Sequence, residues 1–534
     1  VATADASKSV ELKDARAVVV VAPVTVSLPA DAAAGVTGGA AERAVPAPDS
    51  PVVTQHSVTI GGQAVAYTAT TGTITLADED GTARARMFYV AYTRDGVTDP
   101  ATRPVTFTFN GGPGSSSVWL HMGAFGPYRV VLPDDASPPL PPFSLAENEW
   151  SLLDVTDLVF IDPVSTGYSR AADEKEAKQF HGVTPDVESV GEMIRLWCTR
   201  ERRWASPKYL SGESYGTTRA ANLVNHLQDR HGMYVSGVAL ISSVLHFNTL
   251  LFSPDNDLPN ILFLPTYTAT AWYHGRLAAD LQGDGSAAAL RAALTEAEAF
   301  TQDEYAAALL LGSRLPAARA TRVAARFARL TGLSRDFVAR AGLRVSIGRF
   351  VKELRRSEGR TVGRLDSRFV GRDRDAAGES YEYDPSYSAI QGPFTAALNH
   401  YVRSDLGYES DLAYEILTDR VRPWRFDSAE NKHLDVAEPL RQAMTKNPHL
   451  RVFVANGYYD LATPYFATEH TFHHLGLDPE LTGNITMTYY EAGHMMYIHG
   501  PSHAALKADL ASFYAGAPQP TPLASKRMKR KKSQ

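Results

Sequence analysis

Gly212-Glu213-Ser214-Tyr215-Gly216 sets a serine between glycines two residues away on either side. Lys208-Tyr209-Leu210 ahead of it reads as a short strand, and Thr218 to about Gln228 behind it reads as a helix. A serine on so sharp a strand-to-helix turn takes a strained backbone conformation, and the flanking glycines remove Cβ atoms that would clash. The turn exposes Oγ, and the helix start brings free N–H groups and a positive dipole end. Ser214 is therefore placed for nucleophilic attack on an acyl group. An ordinary glycine-rich turn is the competing reading, because G-x-S-x-G alone recurs by chance.

Such a serine needs a base, and a neutral imidazole is suited to take its proton near neutral pH. In hydrolases with this type of turn the partners follow in the order serine, acid, histidine, each from a loop after a strand. His494, in Tyr490-Glu491-Ala492-Gly493-His494, follows the apolar run Ile485-Thr486-Met487. His499 and His503 lie further past that strand and are expected at the surface or in a lid. Asp460 follows Val452-Phe453-Val454 through Asn456-Gly457-Tyr458-Tyr459. Asp162 also follows a strand but precedes the serine, so chain order selects Asp460 as the carboxylate that would orient His494. Taken alone, any one of these aspartates could equally cap a helix or form a turn.

Those loops imply a particular scaffold. From Val53 to Phe109 apolar residues alternate with polar ones around the turns Gly61-Gly62 and Asp95-Gly96, which reads as antiparallel strands entering a sheet. The apolar runs at Leu158 to Ile161, Tyr209-Leu210, Val238 to Ile241, Val452 to Val454 and Ile485 to Met487 then alternate with helical stretches. That order predicts an α/β fold with a mostly parallel central sheet covered on both faces. Between residues 247 and 448 helical patterns such as Ala287 to Leu311 and Arg319 to Leu330 dominate, which predicts a helical cap inserted between two core strands. The expected organisation is a flexible leader at 1–52, core at 53–246, cap at 247–448, core again at 449–516 and a basic tail at 517–534. The apolar run Ala17 to Ala22 could add an edge strand to this scheme. The arginines between Arg314 and Arg374 are interleaved with Asp and Glu, as on a solvated helical surface with local acidic partners.

Whole-chain properties narrow the function classes. With 44% apolar and 10% aromatic residues over 534 positions, the chain can bury a large core. A formal charge of -6 gives no electrostatic reason to expect nucleic acid or anionic membrane as a main partner. Cys198 is the single cysteine, which excludes an intramolecular disulfide and a thiolate metal cluster, and its apolar helical surroundings assign it to the core. No run approaches the roughly 18 apolar residues of a membrane span. A start at Val1 rather than Met fits removal of an upstream targeting segment, so a secreted or periplasmic location is expected.

Four separated motifs carry a family resemblance. Asn110-Gly111-Gly112-Pro113-Gly114-Ser115-Ser116-Ser117 resembles the N-G-G-P-G-C-S-S signature of the serine carboxypeptidases, and Gly212 to Gly216 resembles their G-E-S-Y-G. Asp460 and Gly493-His494-Met495 match as well, and Asp162 to Ser169 resembles a further family segment with Ser165 where glycine is usual. The resemblance covers roughly Val53 to the end of the folded chain and implies a disulfide-free, bacterial-like member with the α/β-hydrolase fold. It implies a triad of Ser214, Asp460 and His494 without cofactor or metal. It assigns the oxyanion hole to the backbone N–H groups of Gly112 and Tyr215. Backbone donors on a glycine-rich loop and at a helix start are physically suited to that task. It also implies that Asn110 and Glu213 hold the carboxylate of a peptide substrate with a free C-terminus, Glu213 doing so in a protonated or proton-sharing state.

Two departures bear on specificity. Ala124 stands where a gap-free count back from Gly126-Pro127 puts the family's second carboxylate-binding glutamate, and Thr108 stands where the family has tryptophan. Without an acidic neighbour at 124, like-charge repulsion is expected to raise the Glu213 pKa less than in the family. The leading expectation is release of C-terminal residues from peptides through an acyl-enzyme. An esterase or acyltransferase with the same triad, and a catalytically silent binding protein on the same fold, stay open beside it.

Overall fold

The computed structural model describes residues 50–426 and 429–516. The expected leader, the Ala17 to Ala22 strand and the basic tail lie outside the described residues. The strands that build the main sheet are β1 (Val52–Ile60), β2 (Gln63–Ala77), β3 (Ala83–Arg94), β4 (Val105–Phe109), β5 (Asp157–Ile161), β6 (Lys208–Ser214), β7 (Gly237–Ser243), β8 (Arg451–Gly457) and β9 (Ile485–Tyr490). Their spatial order is β1-β2-β3-β5-β4-β6-β7-β8-β9, with the two-residue strand Arg170–Ala171 paired on β3. The pairs β1-β2, β2-β3 and β3-β5 are antiparallel, and the other five are parallel. The mostly parallel sheet with antiparallel N-terminal strands is thus as the sequence pattern implies.

The central strands are continuous apolar runs because both faces are covered, yet each still alternates between two cores. Phe107, Leu210, Leu240 and Val454 face Val190 and Ile194 of α1 (Val183–Arg200) and Leu223 and Leu227 of α2 (Tyr215–His231). Their neighbours Tyr209, Ala239, Ile241 and Phe453 face Leu506, Leu510 and Phe513 of the C-terminal helix Gly500–Ala515. Fully burying one such Leu, Ile or Phe contributes about 1.5–3 kcal/mol, so a charge at Leu210 or Leu240 would disrupt the face packed on α1 and α2. Cys198 belongs to the same core and is buried.

Between β7 and β8 the chain is mainly helical, with Leu258–Tyr273, Ala287–Phe300, Ala317–Thr331 and Pro385–Ser404 among its helices. The helix expected from Ala287 to Leu311 is interrupted by a π turn at Thr301–Tyr305. Phe263, Tyr267, Leu294, Phe327 and Phe350 form a core there that also takes in Tyr459 and Leu461 from the loop after β8 and Tyr465 from the helix Tyr465–His473 that follows it. The arginines of this region pair locally: Arg329 with Glu296 and Asp280, Arg326 with Glu304, and Arg344 with Asp257. No helix among the described residues is long and apolar enough to cross a membrane.

Candidate active site

Loops after β4, β8 and β9 carry Asn110, Asp460 and His494 from the carboxyl edge of the sheet, and Ser214 is the last residue of β6 at the same edge. The registers Phe109↔Gly212, Ser214↔Ser243 and Gly457↔Tyr490 bring these strand ends level. Ligand sites in open α/β sheets form at this edge.

Ser214 caps α2 with φ 59° and ψ -129°, a conformation of roughly 1–3 kcal/mol strain for a residue with a Cβ. It is half-buried. The glycines around it permit close approach: a Cβ on Gly212 would stand 2.1 Å from Gly216 O, and one on Gly216 would stand 2.7 Å from Phe109 O. The Asn110-Gly111-Gly112 loop lies directly against this turn, since a Cβ on Gly111 would be 2.3 Å from Tyr215 N. Gly112 takes φ +99°, and Tyr215 is the first residue of α2, where the backbone N–H lies outside the helical ladder. The buried Arg219 holds the loop from below. It donates to Asn110 O at 2.6 Å and to Asp186 Oδ2 at 2.7 Å, in an ion pair that sequence reading did not single out.

His494 Nδ1 donates to Asp460 Oδ2 at 2.7 Å. Asp460 is fully buried and also accepts from Thr463 Oγ1 at 2.6 Å and from the N–H groups of Ala462 and Thr463 at 2.7 and 3.0 Å. Burial alone would raise its pKa, but His494 and these donors outweigh burial and hold the carboxylate below its usual range. For His494 burial disfavours the charged ring, and Asp460, aided by Glu213, overcomes this and raises the imidazole above its usual value. Proton donation through Nδ1 leaves Nε2 as the basic nitrogen. Ser242 Oγ donates to His494 O at 2.6 Å and ties this loop to the strand beside β6.

Glu213 and Asn110 are buried and meet: Asn110 Nδ2 donates to Glu213 Oε1 at 3.0 Å, while Asn110 Oδ1 accepts from Leu120 N at 3.1 Å. Tyr497 donates to Glu213 Oε2 at 2.6 Å. The Glu213 carboxyl titrates at about 7, chiefly because burial disfavours its charge, with His494 and Tyr497 opposing the rise. Desolvation thus raises this acid without a second glutamate beside it. Ala124 is buried in the turn Leu120–Phe125, and Thr108 is buried within β4.

A segment of the helical insertion completes the site. Leu365 O accepts from His494 N at 2.7 Å, and Asp366 Oδ2 accepts from Gly493 N at 3.1 Å. Arg364 O accepts from Leu461 N at 3.1 Å, and Tyr459 O accepts from Ser367 N at 3.0 Å. Four consecutive residues thus bind both the acid loop and the base loop. Nothing in the sequence near Asp366 signals this, because the contacts arise only when the insertion folds back over the sheet edge.

Asp162 is buried away from the base, accepts from Ser117 N and Oγ at 2.8 Å each and from Tyr414 OH at 3.2 Å, and titrates at about 6 because of burial. Ser165 adopts φ +73°, which accounts for glycine being usual there. His503 is a correction to the surface reading: it is 1% exposed, donates to Ala124 O at 2.8 Å, and burial lowers its pKa to about 3. It sits on the helix Gly500–Ala515, whose inner face packs on the sheet. His499 is half-buried and bonds Ser502 Oγ.

A parallel sheet with a strained serine at a strand-to-helix turn, and a histidine paired with an aspartate from later strand ends, defines an α/β-hydrolase. Residues 62–254 match the family model for serine carboxypeptidase, a span holding the Asn110 loop and the Ser214 turn but ending before Asp460 and His494. Serine carboxypeptidase-like 45 of Arabidopsis thaliana is 27% identical over 205 residues, 35% of this chain and 39% of that protein. Serine carboxypeptidase-like 46 of the same plant is 27% identical over 177 residues, 31% of this chain and 34% of that protein. These matches span about two fifths or less of the curated relatives' length. The crystal structure of Kex1(delta)p, a prohormone-processing carboxypeptidase from Saccharomyces cerevisiae, superposes with a TM-score of 0.50 at 16% identity, covering 84% of this chain and 91% of that one. The chain thus has the α/β-hydrolase fold and is similar to the serine carboxypeptidases over the span that carries the Asn110 loop and the Ser214 turn.

Proposed function

We propose that the chain hydrolyses the C-terminal peptide bond of peptides through an acyl-enzyme on Ser214, with the mainly helical insertion 247–448 as the cap of the site and a secreted or periplasmic place of action. His494 Nε2 takes the Ser214 proton as Oγ attacks the scissile carbonyl carbon, and Asp460 stabilises the imidazolium that results. The N–H groups of Gly112 and Tyr215 take the oxyanion. Collapse of the tetrahedral intermediate breaks the C–N bond, and His494 returns its proton to the departing amine. Water then repeats the sequence on the ester, releasing the shortened peptide and restoring Ser214.

One arrangement carries the specificity: Glu213, adjacent to the nucleophile, is buried with the Asn110 amide on Oε1 at 3.0 Å. A carboxyl with a pKa of about 7 is protonated over much of the neutral range and can then donate a hydrogen bond to a substrate carboxylate. Matched peptides with free and amidated C-termini, tested beside a small ester, examine this directly. Free peptides should be preferred, and equal cleavage of the amidated partner would remove the exopeptidase reading. An esterase or acyltransferase is the second reading, favoured by the internal donors already bound to both Glu213 oxygens and by Ala124. Covalent labelling of Ser214 by a serine-directed phosphonate tests what both have in common, and absence of labelling would favour a silent binding protein.

A further inference from the structure

Where the family resemblance places a second acid, this chain has the buried Ala124, yet neither Glu213 oxygen is without a partner. The partner on Oε2 is Tyr497, in the turn Met496–Ile498 three residues past His494. Tyr497 is 3% exposed, and its ring fills the space over Gly123, where a Cβ would be 2.5 Å from Tyr497 Cε2. His503 stands edge-on to that ring at 6.3 Å and donates to Ala124 O, so both residues close over the position that lacks the acid.

The geometry points to Tyr497 as the positioning residue that takes the missing acid's place beside Glu213: its hydroxyl holds Oε2 as an acceptor and so sets the pH at which Glu213 can carry a proton. The two partners have opposite chemistry. A second carboxyl shares one proton with its neighbour and favours the protonated pair, whereas a phenol donates its own proton and favours the ionised carboxylate. The phenol remains protonated here, since burial and Glu213 both push its titration upward. The other ionisable groups acting on Glu213 are His494, which favours its charge, and Asp460, which opposes it. Tyr497 is thus a counterweight to burial, and without it Glu213 would stay protonated to higher pH.

Insofar as it concerns peptide turnover, this inference rests on the carboxypeptidase reading, so the test has an arm that needs no substrate. Infrared difference titration follows the carbonyl stretch of the protonated Glu213 carboxyl, with Glu213→Gln assigning the band. In Tyr497→Phe, which keeps the ring over Gly123, that titration should move up by about one to two pH units, the shift expected for loss of a hydrogen bond to a charged group. The alkaline limb of kcat/KM for free-carboxylate peptides should move with it, while small esters still show no alkaline limb. An infrared titration unmoved by Tyr497→Phe overturns the inference. A moved titration in an enzyme that does not distinguish free from amidated peptides supports it and removes the carboxypeptidase reading alone.

Discussion

Asp366 Oδ2 accepts the backbone N–H of Gly493 at 3.1 Å, so a carboxylate from the helical insertion holds the loop that delivers His494. Arg368 fixes that carboxylate, its Nε at 3.0 Å from Oδ1 and a terminal nitrogen at 2.7 Å from Oδ2, and both side chains are buried. The approach is close enough that a Cβ on Gly493 would lie 2.4 Å from the Asp366 Cβ. Asp366→Asn keeps the volume but weakens the grip of Arg368, and the variant should lose stability as well as activity. A displacement of order 1 Å in the base costs about 10²-fold, expected here in kcat with KM little changed. The downfield proton resonance of His494 Nδ1–H should shift in parallel. An unchanged resonance and kcat in the folded variant would show that the clamp does not position the base.

Ser214→Ala removes the nucleophile and keeps the backbone that the packed glycines enforce. Turnover should fall by about 10⁶-fold, with a melting temperature close to that of the parent. Comparable turnover in the folded variant would take Ser214 out of the mechanism.

Asp460→Asn and Asp162→Asn separate the two buried aspartates. Asp460 holds the His494 tautomer at 2.7 Å, and its loss should lower kcat by about 10⁴-fold. Asp162 anchors Ser117 and Tyr414, and its replacement should cost about 1–3 kcal/mol of stability with catalysis largely retained. The reverse pattern in denaturation and rate measurements would overturn the triad assignment.

The pH dependence should differ between substrate classes. His494 must be deprotonated to act as base, so activity rises with pH through its raised pKa for every substrate. Glu213 must be protonated to donate to a carboxylate, so for free-carboxylate peptides kcat/KM falls again above about 7. Peptides should give a narrow bell and small esters a rise to a plateau. Glu213→Gln supplies a donor that needs no proton, so it should flatten the alkaline limb for peptides. A limb unchanged in that variant would assign it to another group.

The three side chains proposed as nucleophile, acid and base were legible as candidates in the sequence because each is a local event: an apolar run ends, a turn or loop follows, and the strand end fixes which edge the side chain leaves from. Chain order distinguished Asp460 from Asp162, and the glycines at 212 and 216 marked a turn that admits no Cβ. The parallel sheet was legible for the same reason, since strands buried on both faces are apolar throughout while helices carry a 3.6-residue period. The tertiary structure decided what depends on contacts between distant segments. His503 is core because its helix turns inward, Tyr497 meets Glu213 across two loops, and Asp366 reaches Gly493 only once the insertion has closed over the sheet. Glu213 titrates near 7 for the same physical reason: its pKa follows from removal of water on every side, a property of the packed site that the neighbouring residues in the chain do not encode.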